Sequence, residues 1–239
     1  MTNKPKIIVI IPAYNEAGRI ASVIAGVNTA VPDATVVVIN DSSRDQTAAV
    51  AMQAGAVVIS HPFNMGYGVA IQTGYKYAKA HGYDFLVQLD ADGQHDPVCI
   101  PALLAPVIAG QTDIAIGSRF LGTSYKPPLS RRIGMALFRG IVSTVVGTPF
   151  TDTTSGFQAF NSNVVVFFCS DVFPVDYPDA DMLIMLHRVG FRMSEVPVCM
   201  YENSEGKSMH SGLKPLYYMF KMLLSIGVTL MREHDHGAR

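Results

Sequence analysis

The strongest chemical signal in the chain is Leu89-Asp90-Ala91-Asp92-Gly93-Gln94-His95-Asp96. Two carboxylates separated by one small residue can turn toward a common cation when the chain bends at a strand end. Oxygen ligands suit magnesium or manganese, Mg2+ or Mn2+. An ion held by few carboxylates keeps positions open for phosphate oxygens. Gln94 offers a neutral oxygen, so the expected metal set is Asp90, Asp92 and Gln94. A calcium EF-hand is excluded, because no Glu closes the loop at its twelfth position. His95 adjoins the motif, but its type alone does not make it a ligand.

Anion binding is expected from Arg119, Arg131 and Arg132, since a guanidinium matches phosphate oxygens in pairs. Asp152, in Thr151-Asp152-Thr153-Thr154-Ser155-Gly156-Phe157, is either a turn residue or an acid of the site. There is no GxGxxG after the first strand, no GxxxxGK[ST], no GxSxG and no HExxH. A dinucleotide site, a P-loop, a nucleophile elbow and the common zinc hydrolase site therefore have no support.

Alternating strands and helices must position these groups. Apolar runs at residues 7–11, 35–39, 56–59, 85–89 and 114–116 predict strands. Helical spacing predicts helices over 16–30, from Ser42 or Ser43 through Ala54, up to Ala80, and over 97–107, 132–146 and 180–189. Residues 191–200 read as one more strand or a strand pair. Residues 121–130, 148–155 and 201–212 read as a loop, a polar turn and a polar loop. The pattern is α/β, a Rossmann-like, mostly parallel sheet flanked by helices. In such sheets, ligands bind beyond the carboxyl ends of the strands. Asn15 and Glu16, Asn40 and Asp41, Asp90 and Asp92, and Ser118 and Arg119 all fall at those ends. Helix capping is the plainer role open to the acids among them.

The 239 residues are 49% hydrophobic and 15% charged, with a formal net charge of -1, which excludes disorder and gives no global attraction to nucleic acid. Cys99, Cys169 and Cys199 are widely spaced and odd in number, which argues against a disulfide framework or zinc knuckle and fits a reducing cytoplasm. No leader pattern opens the chain.

Taken together, Ile10-Ile11-Pro12-Ala13-Tyr14-Asn15-Glu16, Ile39-Asn40-Asp41-Ser42-Ser43-Arg44-Asp45-Gln46-Thr47 and Leu89 to His95 resemble the family 2 glycosyltransferases of GT-A fold. Gly117-Ser118-Arg119-Phe120, Thr154-Ser155-Gly156-Phe157 and Glu205-Gly206-Lys207-Ser208 narrow the resemblance to the polyprenyl-phosphate sugar synthases, the dolichol-phosphate mannose synthase type. It spans about residues 7 to 210. The resemblance implies that Pro12, Tyr14 and Glu16 line a nucleotide pocket and that Asp41 contacts the nucleoside. The family often has two acids there; this chain has Asn40 then Asp41. It further implies that Arg119, with Arg131 or Arg132, binds phosphate. Asn203 stands where the family usually has an arginine, and Lys207 is the available substitute.

The implied reaction is inverting transfer of a hexose from a nucleotide diphosphate sugar, UDP- or GDP-linked, to undecaprenyl or dolichyl phosphate. A phosphate oxygen is already ionised near neutrality, so no strong base is needed. A saccharide hydroxyl acceptor is the alternative; it requires a base, and Asp152 is then the first candidate. A noncatalytic nucleotide-sugar or lipid-binding scaffold is the second alternative. Two segments are expected: a catalytic domain over 1–211, and an apolar helix with a polar tail over 212–239. The helix, Leu213 to Met231, carries Pro215 and Lys221, which suits the membrane interface or subunit packing better than spanning. The expected location is cytoplasmic, peripheral on the membrane's cytoplasmic face. A membrane protein that supplies an anchor, or a second copy of the chain, is the expected protein partner.

Overall fold

The computed structural model describes residues 4–121, 129–174, 178–201 and 214–231; the side chains of 129–133 and 214–218 also fall outside this description. Lys207, Asn203 and most of the two long polar loops therefore lie outside the described residues, as do the side chains of Arg131 and Arg132.

Seven strands form one sheet: β1 (Ile7–Ala13), β2 (Thr35–Asn40), β3 (Val57–Ser60), β4 (Phe85–Gln88), β5 (Ile114–Ser118), β6 (Gln158–Asn161) and β7 (Met193–Pro197). Their order is β3-β2-β1-β4-β6-β5-β7. All neighbouring pairs are parallel except those of β6, which runs antiparallel to both β4 and β5. The helices are α1 (Ile20–Ala30), α2 (Thr47–Gln53), α3 (Tyr67–Ala80), α4 (Ile100–Ile108), α5 (Leu129–Val146), α6 (Ser162–Phe168), α7 (Ala180–Val189) and α8 (Lys214–Met231).

The strands alternate between two cores, as the two-residue strand period dictates. Val9, Ile11, Val36, Val38, Val87 and Leu89 meet α1, α2 and α4 on one face. Ile8, Ile10, Val37, Ile39, Leu86 and Ile116 meet α3, α6 and α7 on the other. Both faces are covered, which is why these strands read as unbroken apolar runs. Gly74 lets α3 lie close on β1: a Cβ there would stand 2.9 Å from Ile10 Cδ1.

Three local expectations change. Helix α2 begins at Thr47, not at Ser42 or Ser43. Ser42 has a left-handed φ of 60°, and Ser43 Oγ instead accepts the Asn15 amide at 3.0 Å. Asp45 does serve the helix start, accepting the Thr47 amide at 2.9 Å. Helix α1 starts at Ile20 rather than residue 16. Strand β6 and helix α6 are additions, and β6 inserts between β4 and β5.

Candidate active site

The carboxyl edge of β1, β2, β4 and β5 brings the predicted acids and Arg119 together. Asn15 has a φ of 58°, a conformation Asn tolerates better than most residues. Its Oδ1 accepts the Arg44 amide at 2.8 Å, so the loops after β1 and β2 brace each other. The Glu16 amide donates to Thr47 Oγ1 at 2.8 Å, which fixes Glu16 on the rim. Its carboxylate pairs with Arg19 at 2.8 Å. Burial raises the Glu16 pKa, Arg19 opposes that shift, and nearby Asp92 adds to it. Pro12 is buried in β1 beside Ile39, and Tyr14 is exposed at the edge.

Asp41 is almost wholly buried at the end of β2. One oxygen receives His61 Nδ1 and the Met65 amide, each at 2.8 Å, and the other receives the Gly66 amide at 2.8 Å. The acid thus organises the turn that opens α3. Tyr67, the first residue of that helix, extends its hydroxyl to Asp90 Oδ1 at 3.0 Å. The Tyr67 hydroxyl oxygen in turn accepts from Gln88 Nε2 at 3.1 Å. The Tyr67 ring is exposed, but its hydroxyl is enclosed; burial and the Asp90 charge push its pKa well up.

Asp90 and Asp92 sit side by side on the turn after β4. Asp92 Oδ1 accepts the Gln94 amide at 2.9 Å, which curls the turn. The Gln94 side-chain nitrogen donates to Tyr201 O at 3.3 Å, so the residue ties the turn to the chain leaving β7. Burial raises the pKa of both acids, and Asp90 raises that of Asp92 further. Tyr67 and Arg119 oppose the shift at Asp90. Two neighbouring carboxylates concentrate negative charge that a hard divalent ion can offset. Their oxygen-only chemistry fits Mg2+ or Mn2+. Among the described residues, no group of three or more His, Cys, Asp or Glu converges as a complete cage. A two-carboxylate clasp completed by phosphate oxygens remains compatible with that arrangement.

His95 acts behind the turn. It is buried, stacks on Phe157 with centroids 5.0 Å apart, and accepts the Asp90 amide on Nδ1 at 3.1 Å. Burial lowers its pKa to about 4, so near neutrality it is an uncharged brace.

Arg119, following β5, grips Asp152 through Nε at 2.6 Å and Nη2 at 3.3 Å. Asp152 has no exposed side-chain surface. Its amide donates to Glu195 Oε1 at 2.7 Å, and Glu195 also accepts the Thr151 amide at 2.8 Å. Thr151 Oγ1 meets Ser118 Oγ at 2.6 Å. This network holds Arg119 in the neighbourhood of Asp90 and encloses Asp152 beneath it. Arg131 and Arg132 lie in the first turn of α5.

Sequence reasoning gave no site role to Tyr67, Gly156, His61 or Glu195. Each acts through a contact far along the chain, which spacing does not reveal. Gly156 alone carried a signal, as a glycine among hydroxyl residues next to a buried aromatic.

Residues 8–170 match the family model described as glycosyl transferase family 2. The chain belongs to glycosyl transferase family 2. Within that family, it is 31% identical over 220 residues to the undecaprenyl-phosphate mannosyltransferase of Micrococcus luteus, covering 87% of this chain and 88% of that one. It is also 31% identical over 227 residues to the polyprenol monophosphomannose synthase of Mycolicibacterium smegmatis, covering 90% and 84%. The glucosyl-3-phosphoglycerate synthase of Mycobacterium tuberculosis, solved with Mn2+, uridine diphosphate and phosphoglyceric acid, superposes with a TM-score of 0.70 at 20% identity, over 97% of this chain and 80% of that one. The shared fold is GT-A. This family 2 chain is a glycosyltransferase.

Proposed function

We propose that the protein transfers a hexose from a nucleotide diphosphate sugar to a polyprenyl phosphate, with inversion at the anomeric carbon, at the cytoplasmic face of a membrane. The observation that carries this reading is the adjacent pair Asp90 and Asp92 on the turn at the carboxyl edge of the sheet, with Arg119 held on Asp152 within electrostatic reach of Asp90. Similarity to two mannosyl-transferring relatives named for polyprenyl-type acceptors supports the acceptor class.

In this reading Asp90 and Asp92 hold Mg2+ or Mn2+, with Gln94 supplying a neutral oxygen. The bound ion would offset charge on the departing diphosphate. Arg119, oriented by Asp152, would share that task. Arg131, Arg132 and Lys207 are the further cations proposed for the donor and acceptor phosphates. Pro12, Tyr14, Glu16 and Asp41 bound the nucleoside end. Asp41 does so as a positioning residue, since its oxygens already serve His61 and the 65–66 amides. An ionised acceptor phosphate needs no general base, which agrees with a fully enclosed Asp152 acting as the anchor of Arg119. Orientation and charge stabilisation then carry the rate.

The acceptor's lipid tail calls for an apolar approach. On α8, Met222 and Ile226 are buried, and Ser225 bonds to Asp181 of α7. Arg188 donates to the carbonyls of Thr229 and Leu230 at 2.7 and 2.6 Å. This docking turns Phe220, Leu223, Leu224, Val228, Leu230 and Met231 outward as one stripe. Among the described residues, no helix is long and apolar enough to cross a membrane. A stripe of this kind lies in the interface plane.

The test offers purified protein a panel of labelled nucleotide sugars with polyprenyl phosphate, with and without chelator. Label should pass into the organic phase from one donor, and chelator should abolish it. Transfer only to saccharide hydroxyls would favour the alternative acceptor class. Undiminished transfer in chelator would defeat the metal role.

A further inference from the structure

Cys99 and Cys199 lie 100 residues apart in sequence, yet the Cys199 amide donates to Cys99 Sγ at 3.3 Å. Cys99 closes the short turn Pro97–Cys99 that leads into α4, and Cys199 follows β7. That contact sets the Cys99 sulfur against the backbone of its partner. Disulfides join residues whose Cα atoms are about 4.4–6.8 Å apart, a separation that such contact between one sulfur and the partner's main chain allows. Cys199 is exposed, whereas Cys99 is half-buried. Cys169, the third cysteine, packs against the core on the other face of the sheet.

We propose that Cys99 and Cys199 are a modification site, a thiol pair that a hydroperoxide closes to a reversible disulfide beside the active-site turn. Access decides the order. The exposed Cys199 thiolate attacks the terminal peroxide oxygen, the O–O bond breaks, and the alkoxide leaves to take a proton as the alcohol. Cys199 is then a sulfenic acid. The Cys99 sulfur attacks the Cys199 sulfur, the S–O bond breaks, and hydroxide leaves with the Cys99 proton as water. Two thiols have lost two electrons to the peroxide. Burial pushes the Cys99 thiol up, which suits the resolving role better than first contact with oxidant.

The bond would lock a defined ladder. Residues 94–96 pair with 199–201: His95 bridges Met200, the Asp96 amide donates to Cys199 O at 3.4 Å, and the Tyr201 amide donates to Gln94 O at 2.8 Å. Tyr201 Oη donates to Asp96 Oδ2 at 2.6 Å. One side of this ladder continues the Asp90–Asp92 turn. A cross-link here closes a long loop and fixes the edge of the site. The inference stands on this geometry and does not rest on the proposed donor or acceptor.

The test treats the full chain with a small excess of hydrogen peroxide, blocks remaining thiols, and maps peptides without reduction. A peptide linking Cys99 to Cys199 should appear, should vanish with dithiothreitol, and should form equally in a Cys169→Ser variant. The thermal midpoint of the oxidised chain should rise by roughly 5–15 °C, the scale expected for closing a long loop in a domain of this size. In Cys99→Ser, where the serine oxygen can still accept the Cys199 amide, oxidation should stop at sulfenic or sulfinic Cys199 with no rise. Independent oxidation of Cys199 in the wild type, or linkage through Cys169 or between chains, would overturn the proposal.

Discussion

Gly156 is the point where the Tyr67 and Asp90 side chains can be perturbed without touching either. An alanine Cβ there would stand 2.9 Å from Tyr67 Oη and 3.3 and 3.4 Å from the Asp90 carboxylate oxygens. Gly156 does not occupy a left-handed φ, so the contact itself is the cost. The hydroxyl must shift by a few tenths of an ångström, weakening its 3.0 Å bond to Asp90 and its 3.1 Å bond from Gln88. A hydrogen bond to a charged group is worth about 1.5–3 kcal/mol. Losing about 1.5 kcal/mol of it in the transition state lowers transfer roughly tenfold. Removing the Tyr67 hydroxyl removes the nearest atom, so Gly156→Ala should cost less in a Tyr67→Phe background. The double-mutant coupling should be on the order of 1 kcal/mol. The assay is kcat/KM for lipid-linked sugar in all four proteins, alongside Mn2+ affinity by electron paramagnetic resonance. Strictly additive losses, or full activity in Gly156→Ala, would refute the idea that Tyr67 sets Asp90.

Asp92→Asn should lower transfer at least about 100-fold, comparable to losing an electrostatic stabiliser of the transition state, while leaving the metal-free thermal midpoint equal or higher. The sign follows from its raised pKa: such an acid favours the fold below its unfolded pKa and loses that contribution as pH rises through the folded value. A lower midpoint in calorimetry at neutral pH would contradict this. His95 runs the other way, with a folded pKa of about 4 against an ordinary 6.5. Its contribution is intact above about 6.5 and lost as pH falls toward 4, amounting to about 2 kcal/mol by pH 5. Urea titrations at pH 7 and 5 should show that loss in the wild type and a flatter response in His95→Asn. On α8, Phe220→Glu with Leu224→Glu should cut sedimentation with polyprenyl-phosphate vesicles severalfold. It should leave transfer to a short, water-soluble prenyl phosphate unchanged; equal loss on both would mean the stripe supports the fold instead.

The parallel half of the sheet was legible because both of its faces are buried, so strands such as Ile7–Ala13 and Thr35–Asn40 announce themselves as apolar runs. Asp90 and Asp92 were legible for the same reason, as polar residues ending such a run. Strand β6 was not: it has four residues, and Gln158 and Asn161 break its pattern. Helix α6 was hidden by its valine run, which suits strand and helix equally, although Asn161 caps it by accepting the Val164 amide at 3.1 Å. Asp152 illustrates the deeper limit. Its neighbours in sequence suggest a turn or a base, whereas its environment is set by Arg119, 33 residues away. The start of α2 was misjudged because Ser43 has a distant partner in Asn15 that outcompetes local capping.

The most direct test of the central claim is anomalous diffraction from Mn2+ in crystals grown with a nucleoside diphosphate. A peak should lie about 2.0–2.3 Å from carboxylate oxygens of Asp90 or Asp92 and from both phosphates, and it should vanish in Asp92→Asn. A diphosphate bound in the crevice with no ion between it and those carboxylates would contradict the account.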